Sequence, residues 1–267
     1  MKIDTKLLLR YSGGKYYALK QLEKFWKKID HKTYVEVFFG GGAVFWAKPK
    51  VKSNIINDID EELIFFLKFI KSKNNLLKLI KRLEKEPTPS KERHSLIKVM
   101  TTKNSLDKAF KYFYINRTSF SGKMNNPYWG FRPVRSLPIK RWHERLAPCS
   151  NKLKDVDIEN KNFTKILNKY KNKKNTLIYL DPPYYSPSKK THYKYFFEKK
   201  VHEELNKILV KVKTPFFLSY DDCSEIRELY KKFYIHEIKF YYRVSNSNDE
   251  DKKRIKKKEL VITNFKI

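Results

Sequence analysis

Asp181-Pro182-Pro183-Tyr184 follows directly on the apolar run Leu177-Ile178-Tyr179-Leu180. That run reads as a buried strand, and two consecutive prolines end it, because neither can donate a backbone N–H to a ladder. Asp181 and the pair Tyr184-Tyr185 are therefore expected in a stiff turn just past the strand's carboxyl end. Such a turn presents a carboxylate, a rigidly held carbonyl and an aromatic ring to a flat substrate.

A second candidate lies far upstream. In "FFGGGAVF" (38–45) a β-rich run breaks into three glycines and then a helix. The glycines let a ligand lie against the backbone, and the helix start offers N–H groups. Turns of this kind bind several nucleotides, and some are only tight turns. No Lys-Ser/Thr follows, which disfavours ATP or GTP hydrolysis, and Val44-Phe45 break the G-x-G-x-x-G fingerprint of a nicotinamide site. Asp58, with Asp60 close by, ends the next strand and offers a carboxylate to ribose hydroxyls; an ordinary solvated turn is the alternative. In an open α/β sheet, ligands bind beyond the carboxyl ends of the strands, where strand order reverses. If the strands ending at Phe39 and Leu180 are neighbours, both turns rim one crevice.

The elements that must position these groups alternate along the chain. Strands are expected at 33–39, 53–60, 155–163, 176–180, 214–220, 233–244 and 259–265, with helical faces between several of them, such as Leu19/Leu22/Trp26/Ile29 and Val201/Leu205/Ile208/Leu209/Val212. That alternation means a mostly parallel sheet with helices on both faces. The last two strands have only "SNSNDEDKKRIKKK" between them, which favours an antiparallel hairpin. Apolar residues from Leu63 to Leu83 mark one or two amphipathic helices, and "EPTPS" (86–90) ends them. The basic and aromatic stretch 91–150 has no such regularity. The organisation expected is one α/β domain, residues 1–61 with 151–267, and an inserted, mainly helical recognition lobe at 62–150.

Sixty Lys+Arg against 29 Asp+Glu in 267 residues give a formal charge of +31, a field that attracts a polyanion. A lysine-biased composition is the alternative source of that excess. Two cysteines, Cys149 and Cys223, are too few for a disulfide framework or a cysteine zinc site, and the histidines show no paired metal-ligand spacing. No apolar run spans a bilayer, and the opening "MKIDTKLLLRYSGGK" is too weakly apolar for a signal peptide. A cytoplasmic chain without a metal is expected. His202, at a helix start, reads as a capping or surface residue, and Lys256 to Lys258 as a solvated run.

"RYSGGK" (10–15), "VEVFFGGGAVF" (35–45), "NDID" (57–60), "NRTSFSG" (116–122) and "DPPYY" (181–185), in that order, resemble the Dam-type DNA adenine-N6 methyltransferases, the group with the recognition domain between the cofactor and catalytic motifs. The resemblance covers most of the chain. It implies a Rossmann-like class I methyltransferase sheet, S-adenosylmethionine as cofactor, and methylation of adenine N6 in double-stranded DNA after the base flips out. It places Tyr11 (where the family usually has Trp), Lys15, Phe38, Phe39, Gly40, Gly41, Asp58, Asn162, Phe163 and Asp181 at the cofactor, with Phe38 to Gly41 on its methionine side and Asp58 at the ribose. The family often has a proline after the strand's Glu; here Val37 follows Glu36.

The resemblance also assigns the chemistry. The Asp181 carboxylate and the Pro182 carbonyl would accept the two N–H bonds of the adenine amine and draw its nitrogen towards tetrahedral geometry, with Pro183 stiffening the turn and Tyr184 stacking on the base. Asn116, Arg117 and Ser119 match the family's segment near DNA. Arg132, Arg135, Arg141 and Arg145 are candidates for phosphates or bases, and the stretch 185–197 reads as a lid whose Lys189, Lys190 and Lys194 would meet phosphate. A cognate restriction endonuclease acting separately fits this class, and nothing demands more than a monomer. The competing expectations are a cytosine-N4, RNA or protein amine methyltransferase, and a non-catalytic DNA-binding module.

Overall fold

A computed structural model of the chain describes residues 7–11, 13–185, 194–243 and 254–267. A short 3₁₀ turn, Lys15–Ala18, leads into α1 (Leu19–Lys28). Then come β1 (Thr33–Glu36), α2 (Ala43–Ala47), β2 (Ser53–Asn57) and α3 (Glu61–Lys71). The inserted region continues with α4 (Lys73–Glu84), α5 (Lys91–Val99), α6 (Ser105–Thr118) and α7 (His143–Leu153). The sheet resumes with β3 (Val156–Glu159), α8 (Phe163–Tyr170), β4 (Thr176–Leu180), α9 (Lys199–Leu209), β5 (Phe216–Asp221), α10 (Ser224–Leu229), β6 (Tyr234–Arg243) and β7 (Arg254–Thr263).

The seven strands form one sheet in the order β3-β2-β1-β4-β5-β7-β6. β3 to β5 run parallel, and β7 pairs antiparallel with both β5 and β6. The expected C-terminal hairpin is therefore present. β1 has β2 on one side and β4 on the other, so strand order reverses between β1 and β4. This is the crevice position anticipated for the two turns. The β1 ladder stops at Glu36, earlier than expected, yet extended pairing continues: Val37 N–H donates to the Tyr179 carbonyl at 3.0 Å and Phe39 N–H to the Asn57 carbonyl at 2.9 Å.

All five residues of β4 are buried, as a central parallel strand covered on both faces requires. The two-residue repeat divides the core. Tyr34, Leu177, Tyr179 and Phe217 face α1 and the lobe, whereas Val35, Ile178, Leu180 and Leu218 face α8 to α10. The first of these cores runs without a break into the lobe through Phe66, Phe113 and Trp142. α3 packs against β3, α6 and α7. The lobe is thus seated on the sheet by apolar packing. Among the described residues no helix is long and apolar enough to cross a membrane.

Candidate active site

The glycine turn and the Asp-Pro-Pro turn open into the same cleft, about 280 Å³ in volume, at the carboxyl ends of β1, β2 and β4. Gly42, at φ +65°, turns the chain into α2, and a Cβ there would lie 2.3 Å from the Phe39 ring. Gly41 is needed for close approach, since its Cβ would come within 2.7 Å of Tyr11. Tyr11 is thereby laid along the turn, and both line the cleft. α2 is only five residues long, and the Gly40 N–H is already taken, donating to Asp58 Oδ2 at 2.7 Å. The expected row of open helix N–H groups gives way to a turn braced by a carboxylate.

Asp58 also accepts from the Asp60 N–H at 3.0 Å. Burial raises its carboxyl to about 6, with the two backbone donors working in the opposite direction. Asp60 in turn caps α3, accepting from Glu62 and Leu63 N–H. The solvated-turn alternative for these acids does not hold, because both are buried. At the far end of the cleft Asn162 caps α8 and Phe163 follows it. Phe163, Phe38 and Phe197 form a three-ring cage with centroid separations of 5.6, 5.7 and 5.6 Å.

Asp181 sits at the centre. Its Oδ1 lies 2.7 Å from Lys15 Nζ, and both side chains are largely buried, 21% and 4% exposed. Burial pushes the Asp181 carboxyl up to about 6, against the opposing pull of Lys15. The same ammonium lies 4.6 Å from the Tyr184 ring centroid and donates to the Gly13 carbonyl at 3.0 Å. Tyr184 is buried, packed against Tyr220. Its ring thus backs Lys15, and the more exposed rings lining the cleft belong to Tyr195 and Phe196.

Beside Asp181 stands Glu36, which sequence reasoning passed over as a candidate. It lines the cleft, is 1% exposed and accepts from the Tyr34 hydroxyl at 2.7 Å. Burial raises its carboxyl to about 8, and Asp181 adds to the rise. An acid inside the apolar run "TYVEVFF" is the signal that could have found it. Because the native protein holds this proton where the unfolded chain releases it near pH 4.5, stability falls as pH climbs from about 4.5 to about 8 and levels off above that. Glu36→Gln should therefore melt close to wild type below pH 5 and gain on it steadily from pH 5 to pH 7, in thermal melts of the free protein. Lys48 and Lys152, lowered to about 8 by burial and each raised in part by the Glu36 charge, keep the comparison below pH 7, where both stay protonated.

Lys194 closes the mouth, donating to Asp60 Oδ1 at 2.9 Å and Glu62 Oε2 at 2.7 Å. The expectation that it faces phosphate is corrected by these two carboxylates. Lys189 and Lys190 lie outside the described residues. His202 is not a surface residue: it is buried, with Nδ1 2.6 Å from the Tyr220 hydroxyl.

In the lobe, Asn116 and Ser119 are corrected from DNA contacts to internal ties. Asn116 is fully buried, accepting from Arg10 N–H at 2.9 Å and donating to the Arg10 carbonyl at 2.8 Å. The Ser119 hydroxyl, also fully buried, donates back to the Ile115 carbonyl at 2.7 Å. Side chains this short at a helix end satisfy nearby backbone in preference to reaching a ligand. Arg132 and Arg135 sit in an exposed turn closed by the Arg135 N–H donating to the Arg132 carbonyl at 3.0 Å. Arg141 is exposed and paired with Glu144 at 2.6 Å.

A model of the D12 class N6 adenine-specific DNA methyltransferases matches residues 11–244. The type II methyltransferase M.MjaIII of Methanocaldococcus jannaschii is 28% identical over 217 residues, which cover 71% of this chain and 72% of that protein. A DNA N-6-adenine-methyltransferase of Escherichia phage P1 is 27% identical over 119 residues, 43% of this chain but only 15% of the phage protein. A solved precorrin 8w decarboxylase of Methanobacterium thermoautotrophicum aligns with 92% of this chain and 88% of its own at 10% identity, with a TM-score of 0.39, too distant to bear on the site. The family match sets adenine N6 in place of cytosine N4 and DNA in place of RNA or protein. The chain belongs to the D12 class N6 adenine-specific DNA methyltransferases, and the polyanion that its positive field anticipates is DNA.

Proposed function

We propose that the chain transfers a methyl group from S-adenosylmethionine to the N6 of an adenine swung out of double-stranded DNA. The observation that carries this reading is the meeting of the glycine turn and the Asp181-Pro182 acceptor pair in one cleft. The residues present suit the cofactor. Asp58 offers a carboxylate to ribose hydroxyls, and the cage of Phe38, Phe163 and Phe197 beside Asn162 suits a flat base. Asp181 offers negative charge to a sulfonium or an ammonium and the protonated Glu36 a polar group beside it, with Tyr11 and the Phe39-Gly40-Gly41 backbone along one wall. When bound, S-adenosylmethionine supplies an electrophilic methyl group.

The protein's own part is to make a poor nucleophile attack. The amine lone pair of adenine is delocalised into its ring. Accepting both N–H bonds, one at the Asp181 carboxylate and one at the Pro182 carbonyl, pulls the nitrogen towards tetrahedral geometry and frees that lone pair. Pro182 and Pro183 keep the acceptors aimed, so no reorganisation is needed at the moment of transfer. Tyr184 with Lys15 forms the wall behind the base, and Tyr195 and Phe196 at the rim offer stacking faces as it enters. Flipping is required because the stacked base cannot reach the cleft, and it costs a few kcal/mol of unstacking.

Only the ionised Asp181 accepts well, and burial holds its carboxyl up to about 6. In the free enzyme kcat/KM for DNA should therefore drop about tenfold per pH unit below that point. A profile measured from pH 5 to 8.5 that stays flat to below pH 5 would remove the desolvated Asp181 from the mechanism.

The relative named a type II methyltransferase supports a role in protecting DNA beside a restriction endonuclease that acts separately. One chain carries both turns and the lobe, which favours a monomer working in the cytoplasm on the nucleoid. Nucleoside mass spectrometry on unmethylated DNA incubated with S-adenosylmethionine tests the reaction. N6-methyladenine is expected; N4-methylcytosine, or no methylated base, would refute it.

A further inference from the structure

The lobe contains positive charge that no ion pair among the described residues neutralises. Arg117, on α6, has its Nε sealed from solvent without a hydrogen-bond partner, and its guanidinium lies 5.9 Å from the Trp142 ring centroid. Burial pushes it down to about 9, and the charged groups that add to the effect are two further arginines, Arg10 and Arg145. Arg10 is itself partly buried, its Nη1 donating to the Arg117 carbonyl at 3.3 Å and the Ser119 carbonyl at 3.4 Å. None of the ion pairs among the described residues includes Arg10, Arg117 or Arg145. Like charges brought together at partly buried positions without a carboxylate are unfavourable in the free protein, so the arrangement points to an anion supplied from outside.

The cluster's position narrows the choice of anion. Arg10 directly precedes Tyr11, which lies along the glycine turn and lines the cleft. Asn116 grips the Arg10 backbone from both sides, tying this N-terminal stretch to the lobe next to Arg117. Arg145 comes from α7, on the lobe's other wall. The cleft that Tyr11 lines is where a flipped base would enter, so this junction is within reach of the flanking backbone, and planar guanidinium groups suit a phosphodiester's paired oxygens.

We infer that Arg10, Arg117 and Arg145 form a pocket for one backbone phosphate of the substrate DNA, which clasps the recognition lobe to the segment beside the cofactor cleft. The inference rests on DNA being the substrate. It gives Arg117 and Arg145 a defined partner and adds Arg10 to the binding surface.

Arg117→Met keeps the side chain's bulk and removes its charge. In the full-length chain this variant should melt at a higher temperature than wild type when free, because an unpaired buried cation is gone. Its affinity for a mixed-sequence duplex should fall about tenfold, and the log–log salt slope of binding should become shallower by about one phosphate contact. A residue that served only to hold the lobe together would do the reverse, lowering the melting temperature and leaving the salt slope unchanged. Either that result, or a stabilised variant with unchanged affinity and slope, overturns the pocket. Should Arg117→Met fail to fold, Arg145→Gln carries the test: an unchanged slope in that variant refutes the inference, and a shallower one supports it. Because binding is read without chemistry, a wild-type chain that methylates nothing would count against the proposed reaction and leave this outcome standing.

Discussion

Asp181→Ala should bind duplex DNA almost as wild type does and lose methyl transfer by roughly 10²–10³-fold, the range seen when one preorganised electrostatic partner of a transition state is removed. The expectation follows from where Asp181 sits. It lies within the cleft, whereas the basic and aromatic groups proposed to meet DNA are on the lobe and the rim. The alanine leaves Pro182 and Pro183 in place, so one of the two acceptors survives and so does the shape of the turn. The loss should therefore appear in kcat, with little change in KM for DNA. Single-turnover assays with the variant and its DNA dissociation constant decide the matter. Wild-type rates in the variant would end the proposed role of Asp181, and a collapse of DNA binding would make it a structural residue.

Lys15→Met is expected to produce the second large effect, through Asp181. The ammonium 2.7 Å away is the principal group holding the Asp181 carboxyl down against burial. Without it the carboxyl shifts upward from about 6, and a larger fraction is protonated at neutral pH. Activity at pH 7 should fall and part of it should return by pH 9, with the acidic limb of kcat/KM displaced to higher pH. Stability moves in a linked way. A carboxyl whose native pKa exceeds its unfolded value destabilises the native state as pH climbs from the unfolded value to the native one, so a native value raised further in Lys15→Met adds its loss of melting temperature above pH 6. Removing one partner of a fully buried pair costs about 3–5 kcal/mol. Here that figure is an upper bound, since Asp181 is one-fifth exposed to the cleft and can protonate. Lys15→Met combined with Asp181→Asn should recover stability without recovering activity. If the acidic limb stays in place in the single variant, Lys15 does not set the charge of Asp181.

Much of this was legible one residue at a time. Two prolines after "LIYL" can mean only the end of a strand, whatever lies around them, because the missing N–H groups are a local covalent fact. The same holds for the three glycines after Phe39, where a left-handed turn and close approach admit little else. Alternating strand and helix patterns were enough to imply the parallel sheet, and the long charged interval before residue 259 to imply the terminal hairpin. The first and last strands were misjudged at their ends, β1 being shorter and β7 longer than their apolar runs. Pairing with neighbours, rather than apolar content, decides where a ladder stops.

Side-chain destinations were a different matter. Asn116 and Lys194 carry groups that read equally well as DNA contacts or internal ties, and only the arrival of the Arg10 backbone and of Asp60 with Glu62 made them ties. Phe197 joined Phe38 and Phe163 across separations of 159 and 34 residues, which no local pattern encodes. The raised carboxyls of Glu36 and Asp181 depend on how much water the completed fold excludes. So does the isolation of Arg117. The sequence by itself determined what is covalent or periodic: the stiff acceptor turn, the glycine turn, the strand–helix alternation and the positive field. Tertiary structure decided which of these groups meet, which are sealed from water and which charges go unpaired, because burial and long-range contact belong to the folded chain as a whole.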